Sequence, residues 1–164
     1  MKILFLNPLS ELGGAERCLL DLMASLRETR SDLSLELAVG GPGPLIDEAE
    51  RLGVRVHIVP MPSAVASFGD SARAATTLAG RIRLLAGATM AGAGALAYAW
   101  KLHRLVRRLA PDVIHSNGIK SHVLAAMART DIPIVWHIRD QSGLRPVVAR
   151  ALSLVSSRAS AAIA

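Results

Sequence analysis

Short apolar runs and longer helical stretches take turns along this chain. Lys2 to Leu6 reads as a buried strand, and Glu16 to Arg27 as a helix with Leu19, Leu20, Met23 and Leu26 on one side. Leu33 to Val39 is a second strand, closed by "GGPGP", where nearly every position is a turn residue. Leu45 to Leu52 predicts a short helix ended by Gly53, and "VRVHIV" alternates as a third strand that "PMPSA" breaks. Two helices are expected between Asp70 and Leu109, with Asp70 or Ser71 as cap and the junction near Gly87. "DVIHS" is a fourth strand, Ile119 to Ala128 a helix, "IVWHI" a fifth strand, Leu144 to Ser157 a helix, and "SAAIA" the opening of a sixth strand. Strands joined by helical crossovers imply one doubly wound α/β domain with a parallel sheet covered on both faces.

Composition narrows this picture. The 164 residues suit one domain with a true core, and half of them are apolar, which argues against disorder. Cys18 is alone, so no intrachain disulfide forms, in keeping with a reducing cytoplasm. Lys2 precedes only four strongly apolar residues before Asn7, too few for a secretory leader. The net charge of +6 comes from one segment: Ser71 to Ala110 holds seven Lys or Arg and no Asp or Glu, against twelve basic and thirteen acidic residues elsewhere. Such a segment suits phosphates, anionic lipid or nucleic acid, or is simply a solvated helix face. Aromatics at 3% argue against single-stranded nucleic acid as a partner.

Leu84 to Trp100 is a run of seventeen uncharged residues, just under the length that spans a bilayer. It is mostly Ala and Gly, and Gly87, Ala91 and Ala95 form a small-residue face suited to close packing. Packing within the protein is expected, or a helix lying on a bilayer with Arg81, Arg83, Arg104 and Arg107 at the headgroups.

Ligands of open parallel sheets bind beyond the carboxyl ends of the strands. Three segments end there: "NPLSELGGAE", "HSNG" and "HIRDQSG". Gly13 and Gly14 let backbone N–H groups approach a ligand oxygen at a helix N-terminus, and Glu16 complements the same dipole. Two glycines also serve a plain tight turn, and the spacing is not that of the dinucleotide fingerprint. His137 is the stronger histidine candidate, because Arg139 and Asp140 follow it and could orient hydroxyls and phosphate together. His115 is expected to be a partly buried residue satisfied by neighbouring backbone, His57 and His103 to be structural or solvated, and His122 to have no role. No His, Cys and carboxylate set has metal-ligand spacing, so no metal is expected.

"GGAE" after the first strand, "PDVIHSNG" at the fourth and "PIVWHIRD" at the fifth, in that order, are the stretches that carry a resemblance. With them the chain resembles the N-terminal domain of family-4 glycosyltransferases, retaining enzymes of the GT-B type built from two Rossmann-like domains. The resemblance extends over essentially all 164 residues. It implies that Gly13 and Gly14 approach the sugar and phosphate of a nucleotide-sugar donor, which is a substrate rather than a cofactor. It also implies that His137 hydrogen-bonds near the reacting centre, that Asn117 and Gly118 line the acceptor side, and that Arg139 and Asp140 belong to the same rim. The basic helices between the third and fourth strands would serve a lipid-linked or saccharide acceptor or the membrane, placing the protein in the cytoplasm, peripheral to the inner membrane face.

Members of that family grip the donor mainly through a second domain with an E-x7-E motif. The one such spacing here, Glu28 to Glu36, runs from a helix into a strand and is accidental. The resemblance therefore implies half of an enzyme, needing its C-terminal domain or a partner chain that carries it. A non-catalytic module or split-enzyme subunit, and a nucleotide-sugar epimerase of related architecture, are the competing readings.

Overall fold

The computed structural model describes residues 1–66, 78–138 and 146–163. The chain runs β1 (Lys2–Asn7), α1 (Gly14–Thr29), β2 (Ser34–Val39), α2 (Pro44–Arg51), β3 (Arg55–Ile58), α3 (Ser63–Ala66), α4 (Leu78–Leu109), β4 (Val113–Asn117), α5 (Ile119–Met127), β5 (Ile134–His137), α6 (Pro146–Val155) and β6 (Ala161–Ile163). All six strands are parallel, in the order β3-β2-β1-β4-β5-β6. That is the doubly wound, Rossmann-like arrangement, and its reversal of strand order lies between β1 and β4.

Alternation along the strands sends successive side chains to opposite layers. Ile3, Phe5, Leu35, Leu37 and Val39 pack with Leu19 and Met23 of α1 and Leu45 and Ala49 of α2. Leu4, Leu6, Ala38, Ile114, Ile134 and Trp136 pack with Tyr98, Leu102, Leu105 and Val106 of α4, Leu124 and Ala125 of α5, and Leu152 of α6. Two apolar layers thus sandwich one sheet, and the strands read as nearly continuous apolar runs because both faces are covered. Burial of Tyr98 in the second layer pushes its phenol up to about 12.

The region between β3 and β4 departs from expectation. Over the described residues a single helix runs from Leu78 to Leu109 and passes through Gly87 unbroken, where two helices were expected. A lone glycine costs a helix only about 1 kcal/mol, which its Ala- and Leu-rich neighbours absorb. "PMPSA" is not merely a break: it leads into the short α3, whose Val65 lies so close to α4 that a Cβ on Gly94 would come within 3.1 Å of it. Ala91 is buried and Ala95 packs against the core, so the small-residue face is used within the protein. No helix among the described residues is long and apolar enough to cross a membrane. The Asp70 or Ser71 cap lies outside the described residues.

Gly53, at φ +70 just past α2, ends that helix as expected. Glu36, half of the E-x7-E spacing, is buried in β2 and binds the Arg55 guanidinium at 3.1 Å and His57 Nε2 at 2.7 Å. His57 is therefore a structural residue, and His103 is too, with Nδ1 lying 2.9 Å from the Ala128 carbonyl oxygen.

Candidate functional site

The carboxyl ends of β1, β4 and β5 are where the predicted residues converge. Asn7 ends β1, Asn117 ends β4 and His137 ends β5, and the register sets Asn117 beside His137. His115, two residues before Asn117, shares its side of the sheet and sits beside Phe5 of β1. These side chains therefore project on the face that carries α1, below the glycine turn.

A polar network ties the turn to the sheet. Asn117 Nδ2 donates to Asn7 Oδ1 at 2.6 Å and to the Ala15 carbonyl at 3.4 Å, across the two strands that flank the reversal of order. Asn7 Nδ2 in turn donates to the Leu9 carbonyl at 2.6 Å and to Glu16 Oε1 at 3.2 Å. The other Glu16 oxygen accepts the Gly13 N–H at 3.1 Å. One Glu16 carboxylate thus holds both the backbone of Gly13 and the side chain of Asn7. Gly13 and Gly14 are exposed, and among the described residues no atom beyond the neighbouring backbone lies within 4 Å of where a Cβ on Gly14 would stand.

Asn117 is only 1% exposed, with its amide nitrogen committed to the network, so it lies beneath the surface. Its Oδ1 is buried with no hydrogen-bond partner among the described residues. Gly118 holds φ +84 and ψ 154 as it turns the chain into α5, a conformation that needs glycine. The N-termini of α1 and α5 both lie at this end of the sheet, so the positive ends of two helix dipoles border it.

The histidines form a second feature. His115 Nε2 lies 3.3 Å from His137 Nδ1, the rings meeting edge to face with centroids 5.3 Å apart. His115 is buried and packs on Phe5, centroid to centroid 5.1 Å, whereas His137 is half-buried. Sequence reasoning left His115 to the backbone. The usable signal was parity: β4 and β5 are neighbours in a doubly wound sheet, and each carries a histidine near its carboxyl end. Asn7 was missed for the same reason. Ser116, on the other face, pairs with His122 Nδ1 at 2.7 Å, and His122 stacks on Trp136 at 5.1 Å in the core. Arg139 and Asp140 lie outside the described residues.

Comparison with known proteins names the class that this fold and site define. The glycosyl transferase 4-like domain family matches residues 13–164. The chain belongs to that family. The Anabaena Alr3699/HepE structure in complex with UDP and glucose superposes with a TM-score of 0.66 at 22% identity, covering 100% of this chain and 38% of that one. Acinetobacter baumannii MurG gives 0.59 at 12% identity, covering 98% and 40%. The spinosyn rhamnosyltransferase SpnG complexed with thymidine diphosphate gives 0.53 at 19% identity, covering 96% and 41%. At these identities the likeness is one of fold, the Rossmann-like α/β unit of GT-B glycosyltransferases. The chain spans about two-fifths of the length of these structures. Among curated protein sequences none matches the chain.

Proposed function

We propose that this chain is the N-terminal, acceptor-side domain of a retaining glycosyltransferase that moves a sugar from a nucleotide-sugar donor to a lipid-linked or polysaccharide acceptor. A C-terminal nucleotide-binding domain, on the same chain or a partner, completes the cleft. The observation that carries this reading is the convergence at one sheet edge: the open glycine turn braced by Glu16, the N-terminus of α5 at Gly118, and the half-buried His137. N–H donors and helix dipoles are what a diphosphate and a sugar oxygen require. The structures in complex with UDP and thymidine diphosphate lend support, since they share the fold. Arg139 and Asp140 are proposed to extend the same rim.

Amide shift mapping tests this reading on the chain itself. Titration with UDP-glucose and other UDP- and TDP-sugars at millimolar concentration is expected to move Gly13, Gly14, Gly118 and the ring of His137. Shifts confined to the opposite end of the sheet, or none at all, would remove the proposal.

The outward face of α4 supports a peripheral position on the cytoplasmic membrane face. Met90, Leu96 and Trp100 are 68%, 65% and 58% exposed. One turn further Lys101, Arg104, Arg107 and Arg108 are exposed, and the Arg104 guanidinium lies over the Trp100 ring at 4.9 Å. Between β3 and α4 a groove of about 540 Å³ is lined by His57, Ile58, Trp100, Lys101, Arg104 and Arg108. An apolar ridge followed by cations and a tryptophan matches the boundary between acyl chains and anionic headgroups. The protein is expected to co-sediment with vesicles containing phosphatidylglycerol at low salt and to be released as salt rises. Equal binding to neutral vesicles, or none to anionic ones, would discard the membrane role.

A further inference from the structure

The groove between β3 and α4 is walled on one side by a single face of the helix. Trp100, Lys101, Arg104 and Arg108 lie there at helical spacing, and β3 supplies His57 and Ile58 opposite them. Arg107 is exposed on the same turn of α4 but does not line the groove. Among the described residues no carboxylate lines it, and Lys101, Arg104 and Arg108 have no ion pair. Glu36, on the neighbouring β2, is 1% exposed and engaged by Arg55 at 3.1 Å and by His57 Nε2 at 2.7 Å. It fixes the His57 ring from inside, while the helix cations stay exposed. The groove's volume of about 540 Å³ falls within the roughly 300–1,000 Å³ of small-ligand sites. Its charge calls for an anion.

We propose that this groove seats the phosphate of one anionic lipid headgroup, with Arg104 and Arg108 as its principal holders. This rests on the reading of α4 as a membrane-facing helix and narrows it from a charged surface to a single seat. Guanidinium groups suit a phosphate because their planar N–H pairs meet two of its oxygens at once. The Trp100 ring, 4.9 Å from the Arg104 guanidinium carbon, steadies one of them at the groove. The apolar residues decide for a lipid over a free phosphate. Leu96, Trp100, Arg104 and Arg108 follow one another at intervals of four, so one stripe of α4 passes from apolar to basic. Leu96 and Trp100 are exposed, as is Ile58 on the facing strand. Acyl chains lie against the first half of that stripe and the phosphate against the second. A free phosphate would use only the second half.

Dihexanoylphosphatidylglycerol, kept below its micelle concentration, probes the seat apart from the field of a bilayer. Added to the 15N-labelled chain, it is expected to move the Trp100 indole N–H and the Arg104 and Arg108 side-chain signals, and to saturate at a single site. Arg104→Gln and Arg108→Gln should each weaken it about tenfold or more, the loss of a hydrogen bond between charged groups. Arg107→Gln removes the same charge from the same turn and should change affinity by no more than about twofold, as for a screened surface charge. All three arginines are exposed, so their replacement leaves the packed layers intact, which thermal melts check. Equal losses at the three positions would overturn the proposal, because charge alone would then hold the lipid. So would inorganic phosphate that binds as tightly as the lipid, since the seat would then be one for free phosphate. Vesicle sedimentation separates the seat from the reading beneath it. Phosphatidylglycerol vesicles that bind with equal losses at all three arginines keep the membrane role and remove the seat. A saturable seat on a chain that no vesicle retains discards the membrane role and leaves the groove assignment standing.

Discussion

His137→Ala is expected to lower turnover of the proposed transferase, assayed with the proposed C-terminal domain present, by roughly 100-fold or more, the usual cost of losing one hydrogen-bond donor to developing negative charge. Stability should change far less. His137 is half-buried at the end of β5, and its truncation leaves the apolar layers intact. The expected penalty is about 1 kcal/mol, from the His115 nitrogen that loses its partner. In a domain of this size that shifts Tm by only about 2–4 °C. Steady-state kinetics beside thermal melts separate the two effects. Should activity fall no further than the loss of folded protein explains, His137 is a core residue and the proposed site is wrong.

Gly40→Ala is expected to destabilise the chain by about 2–3 kcal/mol, the range of an overpacked position, and to lower Tm by roughly 5–10 °C. Gly40 follows β2, where a Cβ would overlap the Pro8 carbonyl oxygen and stand 3.2 Å from Met61 Cβ. Neither neighbour can retreat freely. Met61 N donates to the Gly40 carbonyl at 2.8 Å, and Pro8 directly follows Asn7 of the polar network. Pushing Pro8 away would also move the turn that carries Gly13, so nucleotide-sugar shifts there should weaken with stability. Gly41→Ala is the matched control, because among the described residues nothing beyond its chain neighbours lies within 4 Å of its added carbon. Equal melting temperatures for the two variants would show that this contact between loops does not brace the site.

Much of the architecture was legible from local pattern. The runs "KILFL", "DVIHS" and "IVWHI" lie within a residue of observed strands, because continuous apolar stretches bounded by turn residues suit strands covered on both faces. The segment after β3 was not legible in the same way. The glycine at position 87 is a local signal for a break, whereas helix α4 passes through it because its Ala- and Leu-rich neighbours are strong helix formers. One weak signal was outweighed by the propensity of the residues around it.

The site divides along the same line. The residues at the carboxyl ends, namely Gly13, Gly14, Asn117, Gly118 and His137, could be named from the chain alone, since alternation of strand and helix dictates which loops gather at one edge. The part played by each could not. Glu16 holds Gly13 and Asn7, Asn117 lies beneath the surface, and His115 faces His137, all through bonds between strands and loops distant in sequence. Periodicity is a property of neighbours along the chain, so the sequence by itself determined the elements and their ends. Which side chains share a proton depends on strand order and register, quantities that exist only once β1, β4 and β5 lie side by side, and these the tertiary structure decided.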